Sequence, residues 1–538
     1  MTSFHFSTPL ILMFSMVFGK THNSGGKISP AQESMDVKHY TISLRVDPYK
    51  KTIVGQVTIL FQLLQETDQI EIDLIDKYYV SGATINGTSL AYEHNNNAVL
   101  INNYGLGLFV DHELVIKYGG RPPEAKNPPW DGGFTWSKDK QGMAWLGVSC
   151  QSNGAHIWFP CVEHPSDKVE GAEIDIAVPD PLMVVSNGLL LSKQKEKDRW
   201  TRWHWKTSYP ISAYNINFTI GGFELLRKNG YVLDKPIKME YYVLPEMVSG
   251  GTQLLEEAEK HLNFYASIFG QYPWIDEKFG IVHTPYLGME HQTINAYGNK
   301  YKKTKLGYDF ILFHEMGHEW FGNFISVKDW KDFWIHEGFV TYAEAMYVEK
   351  NHGLEIAKAF VKERFVPNIN NSKPLVPAVS STSGDVAGND VYYKGAYVLH
   401  MLRYLIGKQI LWGSLKEFVN MPKDLKGNQT TTKEFISLIN ENSGRNLDWF
   451  FSRYLFSKEL PTLEVVEKTY KNKKFIDMRW VDTGFKMPVE ISYESFDGAR
   501  QKKLEINNKQ KRIVIPVNSD LKIDPNGWVL CNIITSTE

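Results

Sequence analysis

Two histidines four positions apart with a glutamate between them, His314-Glu315-Met316-Gly317-His318, are the residues in this chain best arranged to do chemistry. On a helix, positions i and i+4 project from one face a turn apart, so two imidazoles there can grip one ion. Glu337 lies 19 residues beyond His318, in a stretch (DFWIHEGFVTYAEAMYVEK) whose pattern predicts a second helix ending before Gly353. Two histidines plus one carboxylate leave a coordination position open. That is the mark of a catalytic zinc, because water placed there loses its proton near neutral pH. Glu315 is the natural acceptor for that proton. The bland alternative is a core helix whose histidines bond neighbouring carbonyls, which would need no third ligand. Cysteine occurs only at Cys150, Cys161 and Cys531, so a thiolate zinc site and a disulfide scaffold are excluded and any metal must be held by His and carboxylates.

Positioning these groups takes more than one folding unit. At 538 residues the chain is long enough for about three or four domains. With 43% hydrophobic and 22% charged residues it is globular. Lys plus Arg number 59 against 61 Asp plus Glu, a net charge of -2, which supplies no basic stripe for nucleic acid. Alternating runs such as Tyr40, Ile42, Leu44, Val46 and Val57, Ile59, Phe61, Leu63 predict an antiparallel β domain over 28–232. Helical spacing then sets in with Leu255, Ala258, Leu262, Tyr265 and Phe269, with Thr252 the expected N-cap and Gly270 the expected stop. Asp309 is expected to cap a helix that turns Phe310, Phe313, Gly317 and Phe321 toward a core and stops near Gly322-Asn323. This mostly helical region spans 233–456, and alternation at Val489, Ile491, Tyr493 and at Ile513, Ile515 predicts a small β domain over 461–538. The apolar run Leu10 to Gly19 fits a signal-peptide core within residues 1–20, which predicts an extracytoplasmic protein, secreted or periplasmic. No later segment is apolar for long enough to span a bilayer. Glycosylation triplets occur at Asn86, Asn217, Asn370 and Asn428, of which Asn217 falls in a stretch that reads as a buried strand.

HExxH followed by eighteen residues and Glu, set within HEMGHEWFGN and WIHEGF, resembles the gluzincin zinc aminopeptidases of the aminopeptidase N and leukotriene hydrolase family. The resemblance extends from the early sheet segment through LDWFFSRYLF near residue 455. It implies a multidomain α+β fold: an N-terminal β saddle domain, a thermolysin-like α/β catalytic domain, and a small C-terminal β-sandwich. The implied cofactor is one Zn2+ per chain on His314, His318 and Glu337. The stretch Gly288-Met289-Glu290-His291-Gln292 resembles the family's GxMEN motif, which implies substrate binding by Gly288 and Met289 and capture of the substrate's α-amine by Glu290. Leu287 and His291 depart from the motif's usual Gly and Asn. Gln151, in SCQSNGAHIWFPC, resembles the first-domain Glu or Gln that reaches into the family's cleft; otherwise it is a surface amide. Tyr392, in VYYKGAYVLH, resembles the tyrosine of YEKG, which implies donation to the oxyanion, with Tyr393 at the place of the motif's Glu. Glu344, seven residues after Glu337 on the same helical face, is read either as orienting a ligating histidine or as a solvated charge. Cys150 and Cys161 are read either as a pair or as free buried thiols.

The expected reaction is removal of N-terminal amino acids from peptides by attack of an activated water, with Glu315 as general base and Tyr392 stabilising the oxyanion. Three other readings compete: an endopeptidase indifferent to N-acetylation, a lipid-epoxide hydrolase of the kind found in one family branch, and a peptide-binding surface protein without chemistry. Glu290 argues against the first. No lipid pocket is legible for the second, and the intact His314, Glu315, His318, Glu337 and Tyr392 set opposes the third.

Overall fold

The computed structural model describes residues 23–423, 426–495 and 498–537. The proposed signal segment, residues 1–20, lies outside them. Alternation along Met35–Asp47 and Thr52–Leu63 buries one face of each strand, and the two pair antiparallel from Met35↔Leu63 to Asp47↔Thr52, with a register shift between Val37 and His39. They sit at the centre of an eight-stranded sheet that runs from Leu189–Glu196 at one edge to Thr88–Ser89 at the other. Met35–Asp47 also pairs in parallel with Gly171–Pro179, so this sheet is mixed rather than purely antiparallel. A four-stranded sheet that includes Ala144–Ser149 leads directly into the turn carrying Gln151.

The middle of the chain combines a five-stranded sheet with four helices that matter for chemistry: α1 (Gly251–Phe269), α2 (Phe310–Gly317), α3 (Trp334–His352) and α4 (Tyr393–Ile406). The hairpin Glu224–Val232 with Lys235–Val243 belongs to this sheet, through the parallel pairing of Lys235–Val243 with Phe279–His283. The boundary read at 232/233 therefore falls inside a hairpin of the catalytic unit, because a short turn keeps both strands in one sheet. Gly250, not Thr252, caps α1, and Thr252 lies inside the helix. Gly270, with φ +107°, ends it as expected.

The last region folds as two small sheets, one of four strands around Thr462–Tyr470 and Lys473–Trp480, the other of three around Val489–Ser495. The architecture is an N-terminal β-rich domain, a helix-rich catalytic domain and a C-terminal β region. Among the described residues no helix is long and apolar enough to cross a membrane. The Asn217 amide is buried and donates to the Val148 carbonyl at 2.5 Å, so that triplet presents no free side chain for a glycan.

Candidate active site

Asp309 caps α2 as its sequence position predicts: its side chain accepts from the Leu312 N–H at 3.2 Å. Leu312, Phe313 and Met316 are buried on one face. From α1, Tyr265 lies 4.9 Å from Phe313 and stacks on Trp320 at 5.2 Å, centroid to centroid. Regular α-helix stops at Gly317, earlier than the expected Gly322-Asn323. The chain stays wound beyond it, with Phe321 N donating to Gly317 O at 3.2 Å and Asn323 N to His318 O at 2.9 Å. Both histidines therefore still point the same way.

His314 Nε2 and His318 Nε2 lie 3.2 Å apart, and each is 3.4 Å from Glu337 Oε2. Tetrahedral zinc with bonds of about 2.0–2.1 Å holds its ligand atoms roughly 3.3–3.4 Å apart, so the triangle has the right size. His318 Nδ1 is 2.9 Å from the Phe321 carbonyl, which fixes the N–H there and leaves the Nε2 lone pair for an ion. Glu337 Oε2 is buried without a hydrogen-bond partner, an atom whose place in the fold makes sense once a cation sits against it. The ligand atoms of Glu290, Glu315 and His318 also lie within 4.8 Å of one another. Burial works against a charged His318, yet the pull of Glu337, Glu290 and Glu315 lifts it to about 10. So strong a demand for positive charge is met by a divalent cation, and the residues fit zinc.

Burial, with the charges of Glu290 and Glu337 alongside, pushes the Glu315 carboxyl well above its usual range, although His318 pulls the other way. A proton acceptor needs such a raised affinity. Glu290 is also raised, to about 7, chiefly by burial. Gln151 reaches across from the β domain and donates through Nε2 to Glu290 Oε1 at 2.5 Å and to Glu337 Oε1 at 3.3 Å. Gly288–Met289 is the edge strand of the catalytic sheet, and a Cβ on Gly288 would come within 2.4 Å of Glu315 Oε1. A side chain there would crowd both Glu315 and Ile311, whose Cγ2 would lie 2.7 Å away.

Tyr392 lies beside the candidate metal ligands, its ring 6.0 Å from that of His314. Helices α3 and α4 approach closely at Gly338 and Gly395, where a Cβ on Gly338 would meet the Gly395 Cα at 2.9 Å. That contact draws the start of α4 onto Glu337. Tyr393 instead turns toward Phe365, with ring centroids 6.2 Å apart. Glu344 is buried rather than solvated: its oxygens accept from Tyr308 Oη at 2.6 Å and Arg364 Nε at 3.3 Å. Its influence on His314 is that of a nearby negative charge. Cys150 and Cys161 are free and buried, and Cys150 Sγ donates to the Tyr214 carbonyl at 3.1 Å.

One carboxylate that motif matching passes over is Glu319. It accepts from Trp274 Nε1 (2.8 Å), Asn295 Nδ2 (2.8 Å), Thr293 N (3.0 Å), Asn323 Nδ2 (3.0 Å) and Tyr272 Oη (3.3 Å). Asn323 Nδ2 also donates to the Glu290 carbonyl at 2.9 Å. The turn after His318 and the Glu290 loop are thereby tied together. The available signal was a charged residue amid the apolar run around Trp320 and Phe321. Glu319→Ala leaves these buried donors unmatched, a cost of about 3 kcal/mol, and is expected to lower the thermal midpoint by about 6–12 °C. Calorimetry beside Glu319→Gln, which keeps an acceptor and should lose less, checks this.

Comparison with known proteins agrees with this geometry. The Peptidase M1 N-terminal domain model matches residues 36–215, and the Peptidase family M1 domain model matches residues 254–454. The chain is 22% identical over 437 residues to the puromycin-sensitive aminopeptidase of Caenorhabditis elegans, covering 73% of this chain and 44% of that protein. It therefore spans less than half of the nematode protein's length. Leukotriene A-4 hydrolase of Xenopus laevis is 24% identical over 415 residues, covering 72% of this chain and 66% of that protein. The fold is similar to the crystal structure of an M1 zinc metallopeptidase from Deinococcus radiodurans, with TM-score 0.68 and 21% identity over 81% of this chain and 96% of that one. With both halves of the family signature present and a zinc-sized ligand triangle at its centre, this chain belongs to the M1 family of zinc peptidases.

Proposed function

We propose that this chain is an aminopeptidase that removes N-terminal residues from peptides. The observation carrying this reading is the placement of Glu290 and Gln151: an acidic group and an amide, hydrogen-bonded to each other, the amide also touching the zinc ligand Glu337. A substrate ammonium held there by Glu290 and the Gln151 carbonyl oxygen brings the first peptide bond, and no later one, next to His314 and His318. When bound, zinc supplies a Lewis acid at that carbonyl. Glu315 takes the proton of the attacking water and returns it to the leaving amine. Tyr392 donates its phenolic hydrogen to the developing oxyanion; burial, with Glu337, Glu290 and Glu315 nearby, keeps that phenol protonated. The edge strand Gly288–Met289 pairs with Asn295–Tyr297 on its inner side, and its outer side is available to extended substrate backbone.

Tyr392→Phe is expected to lower kcat by about 10²–10³-fold with KM nearly unchanged, as for loss of one oxyanion donor. Steady-state kinetics on an aminoacyl 4-nitroanilide check this. The whole reading is tested by that assay with a chelator: activity should vanish and return on addition of zinc in proportion to metal bound. Activity that survives complete metal removal overturns it. Export is part of the same proposal, supported by the apolar run Leu10 to Gly19, and fractionation of the native host tests it.

A further inference from the structure

The short segment 23–26 runs between the β domain and the catalytic domain beside the turn that carries Gln151. Ser24 is buried, its backbone N–H donates to the Ser152 carbonyl at 3.2 Å, and its hydroxyl donates to Glu163 Oε1 at 2.8 Å. That hydroxyl also accepts from Trp330 Nε1 at 3.0 Å, and the Ser24 carbonyl accepts from Ser383 N at 2.9 Å. Gly25 N donates to the Glu163 carbonyl at 3.4 Å, and Gly26 N to the Ser381 carbonyl at 3.1 Å. One short piece of chain thus holds residues 152 and 163 on one side and 330, 381 and 383 on the other. Gly25 has φ +82°, and a Cβ there would come within 2.3 Å of Trp330 Cδ1. A side chain would push the segment off the tryptophan.

The target of these bonds is the Gln151 turn. The Ser152 carbonyl, next in sequence to Gln151, accepts from both Ser24 N and Ser383 Oγ. The Glu163 carboxylate accepts from the N–H groups of Ala155 and His156 within the same loop. Gln151 itself is only half-buried, and its amide contacts lie in the catalytic domain, on Glu290 and Glu337. A half-exposed amide on a turn is placed accurately only when the turn is fixed at both ends.

We propose that residues 23–26 are a strap that positions the Gln151 turn, with Ser24 and Gly25 acting as positioning residues for the substrate's amino terminus. The inference rests on the aminopeptidase reading for its effect on kinetics, but its effect on the turn stands apart from it. In the full chain, Ser24→Ala is expected to raise KM about five-fold, the worth of a buried hydrogen bond, with kcat and zinc content near wild type. Gly25→Ala should act in the same direction and more strongly. On a Gln151→Ala background, Ser24→Ala should add almost nothing, because the strap acts through that amide. Hydrogen exchange in residues 150–156 should accelerate in both strap variants. Unchanged exchange in that segment, full additivity with Gln151→Ala, or a fall in kcat at constant KM would each overturn the proposal. Should Gly25→Ala fail to fold, Ser24→Ala, which removes one hydroxyl, decides. If the wild-type chain hydrolyses no aminoacyl amide, the aminopeptidase reading falls, and exchange in 150–156 still decides whether the strap holds the turn.

Discussion

Glu315→Gln is expected to lower kcat by about 10²–10⁴-fold, the range for loss of a positioned general base, while zinc remains at one per chain. Glutamine has the shape of glutamate but cannot hold the proton that must pass from water to the leaving amine. The ligand triangle of His314, His318 and Glu337 does not include Glu315, so metal content should be untouched. Measured zinc beside single-turnover rates separates the two roles. A variant that keeps its rate removes Glu315 from the mechanism, and one that loses zinc assigns it to metal binding instead.

The second large effect is expected at Glu290. Replacing it with alanine removes the acidic partner of a substrate ammonium, an interaction worth about 1.5–3 kcal/mol, or roughly ten- to a hundred-fold in kcat/KM. The loss should be confined to substrates with a free amine, so selectivity against N-acetylated peptides should collapse. Gln151→Ala should give a smaller change of the same kind, since the amide is neutral and half-exposed. Equal losses on free and acetylated substrates would mean that Glu290 supports the loop and does not read the chain end.

The candidate ligands His314 and His318 were legible because helix geometry converts a four-residue spacing into a shared face, and Glu337 because it follows His318 by 19 residues on a second helical stretch. Tyr392 was legible only through its motif. What sets its position is the Gly338–Gly395 crossing, a contact between helices more than fifty residues apart that no local pattern encodes. Glu344 could be read as a helix-face charge, but its partners Tyr308 and Arg364 come from other parts of the chain. The contacts of Glu319 were hidden for the same reason: five donors from three separate segments meet on it only in the folded state. Alternation revealed the large sheet, yet the parallel pairing of Met35–Asp47 with Gly171–Pro179 joins strands too distant in sequence to be paired by inspection. The strap residues 23–26 carry no motif at all, and their role is apparent only from what they touch.

A zinc-binding triangle beside an acidic site for a free amino terminus should cleave only uncapped chains. The decisive measurement is kcat/KM for one peptide amide and its N-acetylated twin, with metal content determined on the same sample. Hydrolysis of the free form alone, in proportion to bound zinc, is the predicted result. Equal cleavage of the two forms, or cleavage by metal-free protein, would contradict it.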